Sequence, residues 1–99
     1  MWTALGDPTR RAIFECLVES PRAVGDLARE FPVSRPAVSQ HLKVLRDAGL
    51  VHHRQAGKQR IYHVDREGLA ALRAELDRFW NQTLSAYKET VDKLPKEEQ

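Results

Sequence analysis

Apolar residues recur along this chain in three helical runs, then in alternation, then in one long helical run. Asp7-Pro8 reads as a helix start, with Asp7 as N-cap and Pro8 in the first helical position. Ala12, Ile13 and Leu17, flanked by Phe14 and Val18, follow at helical spacing until Ser20-Pro21 stops the run. Trp2 and Leu5 are expected to end a short preceding helix packed against this one. A second, short helix is expected over residues 23–30, burying Val24, Leu27 and Ala28. Its start is weak, because Ala23 stands where a capping side chain is expected. Phe31-Pro32-Val33 then turns the chain, since Pro32 lacks an N–H and disfavours helix at the residue before it.

Ser34 reads as the N-cap of a third helix over residues 35–48, closed by Gly49. Val38, Leu42 and Leu45 form one inward stripe, and Arg35, Ser39, Gln40, Lys43 and Arg46 occupy the opposite side. After Leu50 the period changes to two. Residues 51–55 and 59–64 alternate around Ala56-Gly57-Lys58, which predicts a β-hairpin with a basic tip. Asp65 or Arg66 opens a final helix to about residue 93. Leu69, Leu72, Leu76, Phe79/Trp80, Leu84, Tyr87, Val91 and Leu94 line it. The expected fold is mainly α with a small β-hairpin, in one domain over residues 1–99.

Length and composition narrow the class. Ninety-nine residues give a poor ratio of core to surface, so association with a second copy would help. Cys16 is the only cysteine, which excludes an intrachain disulfide and suits a reducing, cytoplasmic setting. No apolar run approaches the ~20 residues of a membrane span, and the first residues do not read as a signal peptide. The net charge of +2 becomes informative only when divided. Residues 1–64 carry ten Lys/Arg against six Asp/Glu, whereas residues 65–99 carry six against eight. Between Ser34 and Val64, Arg35, Lys43, Arg46, Arg54, Lys58 and Arg60 face the single acid Asp47, and all four histidines lie there too. That concentration predicts a localised surface for a polyanion.

A short helix, a tight turn into a polar-faced helix, and a basic hairpin in this order make a winged helix-turn-helix. A major groove about 12 Å wide admits one α-helix, and the first turns of that helix meet the base edges. Ser34, Arg35, Pro36, Ser39 and Gln40 occupy those turns. Arginine can grip guanine O6/N7, and glutamine adenine N6/N7, with paired hydrogen bonds. Lys43 and Arg46, further along, suit phosphates, and His41 suits packing or a phosphate contact. Arg54, Lys58 and Arg60 of the hairpin can follow the backbone or enter the minor groove. Double-stranded DNA is the expected partner.

The runs Leu5-Gly6-Asp7-Pro8-Thr9-Arg10-Arg11, Val24-Gly25-Asp26-Leu27-Ala28, residues 34–45 and Ala48-Gly49-Leu50-Val51 resemble the ArsR (ArsR/SmtB) family of bacterial repressors. The resemblance covers roughly residues 2–80. It implies a dimeric repressor on an inverted-repeat operator, often in its own promoter, released by an inducer. Metal-sensing members carry a Cys-x-Cys pair in the first helix of the helix-turn-helix, or Asp/His and His/Glu ligands on the last helix. Here residues 23–30 hold no cysteine and residues 65–99 hold neither histidine nor cysteine. Neither metal site can be built, so no metal or other cofactor is expected and the inducer, a small molecule or a protein, is left open. His52, His53 and His63 do not replace those sites. Alternation sends His52 and His53 to opposite faces, and no Cys, Asp or Glu is expected to complete a four-ligand set.

No acid/base pair or activated nucleophile is apparent, so no enzyme activity is expected. Cys16 reads as a small hydrophobe of the first helix. The final helix is different. Its 28 residues span roughly 42 Å, more than the small body before it can cover. Leu76, Phe79, Trp80, Leu84, Tyr87 and Val91, helped by Trp2 and Leu5, are therefore expected to form a homodimer interface. The competing reading is a winged helix that docks a protein; it would call for apolar anchors on the outer face of helix 35–48, where only Val44 qualifies.

Overall fold

The computed structural model describes residues 2–95. Trp2–Leu5 forms one 3₁₀ turn, and α1 spans Pro8–Glu19. The Asp7 carboxylate accepts from the Arg10 N–H at 2.9 Å, the cap expected from Asp7-Pro8. Helix α2 spans Val24–Glu30 and α3 Arg35–Asp47. The Ser34 hydroxyl accepts from the Ala37 N–H at 3.2 Å, so the turn after α2 delivers α3 with its first orphan donors partly satisfied. Helix α3 closes through Gly49 at φ 78°: the Gly49 N–H reaches Arg46 O and the Leu50 N–H reaches Leu45 O. This paired closure requires a left-handed residue, which glycine adopts without a Cβ clash.

Strand β2 covers Val51–Ala56 and β3 covers Gln59–Val64, in antiparallel register from Val51↔Val64 to Ala56↔Gln59. Only Gly57 and Lys58 join them. Gly57 has φ 65° and Lys58 does not share the positive φ, the pattern of a type II′ turn that matches strand twist.

The sheet has a third strand that the periodicity does not reveal. Arg22–Ala23 forms β1 and pairs with β3 through Arg22↔Tyr62 and Ala23↔Ile61, giving the order β1-β3-β2. Residue 23, expected to begin α2, is instead the buried end of a strand, and α2 starts at Val24 with no side-chain cap. The short strand fixes the start of α2, and a side-chain cap is dispensable there.

One core joins these elements. Ile13 and Leu17 of α1, Leu27 of α2, Val38, Leu42 and Leu45 of α3, and Leu50 and Val51 are essentially sealed from solvent. Tyr62 and Leu72 close its edges.

Helix α4, Arg66–Asp92, starts on this body and leaves it. Its only buried residues are Gly68 and Leu72. At about 1.5 Å per residue it runs roughly 40 Å. The molecule consequently measures 68 × 28 × 20 Å, with a radius of gyration of 18.8 Å against the ~13 Å of a compact 100-residue domain.

The root of α4 is held tightly. The Asp65 N–H donates to Leu50 O at 2.9 Å, the Asp65 carboxylate accepts from the Gly68 N–H at 2.8 Å, and His52 pairs with the same carboxylate. An acid thus does stand beside a wing histidine, although the sequence suggested none would. It serves as the helix cap. Among the described residues no group of three or more His, Cys, Asp or Glu side chains is arranged to hold a metal ion.

Candidate nucleic-acid interface

The exposed flank of α3 faces the hairpin across a groove of about 750 Å³. Arg35, Ser39, Lys43 and Arg46 line one wall at helical spacing, and Gln55, Lys58, Gln59, Arg60 and Tyr62 line the other. The start of α2 closes the end with Val24, Gly25, Asp26 and Arg29. Arg35 reaches back over α2: a methyl group placed on Gly25 would lie 3.7 Å from its guanidinium. Asp26 is paired with Arg29, and Lys43 donates to Asp47 at 2.9 Å. Arg35, Arg46, Lys58 and Arg60 of the same groove have no carboxylate partner among the described residues.

The expected interface residues separate into three sets. Arg35, Ser39, Lys43, Arg46, Lys58 and Arg60 share the groove. Ser34, Pro36 and Gln40 are exposed at the start and outer crest of α3, outside the groove but beside it. Arg54 and His41 point elsewhere. Arg54 pairs in register with Ile61, on the opposite face of the hairpin from Arg60, which pairs with Gln55. His41 is half-buried on the side of α3 turned to α1, where it helps hold the Asp7 carboxyl below its usual range. The capping hydrogen bond from Arg10 is the larger cause of that shift. His41 Nδ1 is buried and makes no hydrogen bond with any described residue.

Arg29, Asp26, Gln55, Gln59 and Tyr62 are groove residues that the sequence did not single out. Gln55 and Tyr62 share the face of Arg60 by strand alternation, so the register of a two-residue hairpin loop would have found them. Arg29 and Asp26 carry no such signal, because only the packing of α2 against α3 brings them in.

Two histidines divide between the faces as alternation requires. His52 turns to Asp65 and lies 6.1 Å, ring to ring, from His63. His53 lies on the groove side against Tyr62, with ring centroids 5.1 Å apart.

Cys16 is half-buried, and its thiol donates to Glu30 at 3.3 Å. Burial first, then that carboxylate, push its pKa up, which disfavours the thiolate needed for reactivity. No helix among the described residues is long and apolar enough to cross a membrane.

Away from the groove, α4 carries an uncovered apolar stripe. Phe79 is 53%, Trp80 58% and Tyr87 66% exposed, with Leu69, Leu76, Leu84 and Val91 exposed along the same helix and Leu94 exposed just past its end. Trp2 lies against Phe79, centroids 6.4 Å apart, and Leu5 is partly buried against the edge of the subunit's core.

Comparison with known proteins agrees with this geometry. Residues 5–54 match the helix-turn-helix domain family. The HTH-type transcriptional regulator Rv2034 of Mycobacterium tuberculosis is 60% identical over 92% of this chain and 85% of its own length. The crystal structure of a "possible transcriptional regulator for arsenical resistance" superposes with a TM-score of 0.77 at 42% identity, covering 94% of this chain and 95% of that one. An ArsR-like transcriptional regulator from Rhodococcus sp. RHA1 gives 0.71 at 30% identity, over 93% and 90% of the two chains. The chain belongs to the ArsR/SmtB family of winged helix-turn-helix transcriptional regulators.

Proposed function

We propose that this regulator is a homodimeric repressor that lays α3 in the major groove of an inverted-repeat operator, its own promoter included, and yields to an inducer. The reading is supported chiefly by the groove between α3 and the hairpin, where cations from both walls converge. Side chains of this kind serve two roles. Arg35 and Gln40, on the first turns of α3, are the base readers. Lys43, Arg46, Lys58 and Arg60 meet phosphates and fix the register of the protein on the duplex. Ser34, Pro36 and Ser39 shape the approach of the helix to the bases.

The dimer is supported by the stripe on α4. Each large apolar side chain moved from water to an interface contributes about 1.5–3 kcal/mol, so several in one row offset the cost of association. Pairing α4 and Trp2 with a second copy gives a twofold assembly, which in turn calls for half-sites about one helical turn apart.

The deciding experiment is selection of bound DNA from random duplexes, followed by binding to the selected site across a salt series. The expected result is a palindromic consensus, with affinity falling by about 0.9 log units per phosphate neutralised per log unit of salt. A protein that binds selected and scrambled duplexes equally at every salt concentration is not a sequence-specific repressor. Repeating the selection in cell extract exposes the inducer as a loss of that binding.

A further inference from the structure

Arg46 and His53 join the end of α3 to the wing. The Arg46 guanidinium, in the last turn of α3, lies 2.8 Å from His53 Nε2 on β2. A guanidinium only donates, so Nε2 must accept. That bond requires a neutral His53 with its proton on Nδ1. Its ring is backed by Tyr62, which is buried. The charged and titratable groups around it are Arg46 from α3, Arg60, Tyr62 and His63 from β3, and His52 beside it. Burial and then the cations Arg46 and Arg60 hold its pKa below the usual histidine value, in keeping with the acceptor role.

We propose that His53 is the positioning residue for Arg46, holding that guanidinium against the wing so that one cation is ready for phosphate and spans both DNA-contacting elements. The proposal rests on the reading of the groove as the DNA interface. A free arginine gives up rotamer freedom when it meets a phosphate, and one already held by an acceptor on a ring packed against Tyr62 has less to lose. The bond also ties the end of α3 to the wing, so the two walls of the groove approach DNA as one surface. A protonated His53 could not serve, because it would offer Arg46 a second donor and a like charge.

Two measurements on the full chain test this. The first needs no DNA: ¹⁵N NMR of the imidazoles in wild type and Arg46→Ala. The wild type should show His53 neutral with the proton on Nδ1. Arg46→Ala should raise its titration midpoint and release the tautomer preference. A proton on Nε2, or a midpoint indifferent to Arg46, overturns the proposal even if a His53 variant fails to fold.

The second is binding to the selected operator by fluorescence anisotropy. His53→Ala should weaken binding about three- to tenfold, the loss from freeing one long side chain. His53→Gln, whose amide oxygen can accept in place of Nε2, should recover most of it. In an Arg46→Ala background, His53→Ala should add less than about twofold, because the residue it positions is gone. A full additional loss in that background overturns the positioning role, as does a His53→Ala variant that binds like wild type. Absence of specific DNA binding by the wild type itself sinks the parent reading. That outcome is distinguishable, because the NMR comparison still reports on the His53–Arg46 bond.

Discussion

Gly68 is the position at which a single methyl group should do most damage. It is the third residue of α4, where glycine has no conformational purpose and alanine would be favoured by about 1 kcal/mol. The reason for glycine is contact. A Cβ at residue 68 would stand 1.9 Å from Gly49 O, 2.9 Å from Gly49 C and 3.3 Å from Leu50 Cα, all of them backbone atoms. Relief to ordinary contact requires a relative movement of about 1.5 Å, judged against the ~3.4 Å at which such contacts become unstrained. The Gly49 carbonyl cannot supply it, because both flanking N–H groups close α3 and Leu50 is sealed in the core. Helix α4 must move, at the expense of its Asp65 cap and the seating of Leu72. Overpacking of this kind costs about 1–3 kcal/mol or more, which outweighs the gain in helix propensity. Gly68→Ala should therefore lose about 2 kcal/mol, a fall in Tm on the order of 10 °C for a domain of this size. Urea unfolding at one fixed protein concentration measures it, with Ala71→Gly on the exposed side of α4 as the propensity control. A Gly68→Ala protein as stable as wild type, or more stable, would falsify the close-contact argument and leave propensity as the only force at that position.

Other predictions test the remaining parts. Trp80→Asp combined with Leu84→Asp should convert a dimer to a folded monomer in sedimentation equilibrium; a double variant that sediments as a dimer removes α4 as the interface. Arg35→Ala or Gln40→Ala should cost about 1–3 kcal/mol on the selected operator and relax preference at one base pair. Lys58→Ala should instead weaken specific and random duplexes alike and lower the salt slope by about one, and equal losses for all three variants on both kinds of DNA would contradict the division of roles. Capping hydrogen bonds depress the pKa values of Asp7 and Asp65 below 3.8. Their stabilising effect is therefore complete above the unfolded value near 3.8 and is lost as pH falls through the lower folded values. The urea midpoint should drop in that acid window, and Asp7→Asn with Asp65→Asn, which keeps an acceptor at each cap, should flatten the drop.

What the sequence discloses here is what local chemistry decides. Asp7-Pro8, Ser34 and Gly49 state where helices begin and end because caps act within three residues of themselves, and the observed α1 and α3 start where those signals stand. The length of α4 and its apolar stripe are legible for the same reason, since periodicity is a property of one segment. Strand β1 is not legible: two residues are too few to show alternation, and Arg22-Ala23 becomes a strand only because β3 lies beside it. Nor does composition separate Arg54 from Arg60. Both are basic wing residues, and only the register of the hairpin puts them on opposite faces.

Several contacts that no sequence pattern discloses share one location, the junction where α3, the hairpin and α4 meet. There the Gly49 carbonyl fills the place of a Gly68 side chain, the Asp65 N–H reaches Leu50 O, and His52 joins the wing to the α4 cap. None of these residues lines the groove, and none belongs to the exposed stripe of α4. They fix the angle at which the stripe leaves the body that carries α3. In the proposed dimer that angle determines the separation of the two copies of α3, and hence the half-site spacing the protein can read. Two glycines and a capping aspartate, with no DNA contact of their own, would then set operator geometry. Gly68→Ala should accordingly lose more affinity for a paired site than for an isolated half-site, whereas Arg35→Ala should weaken each half-site it touches.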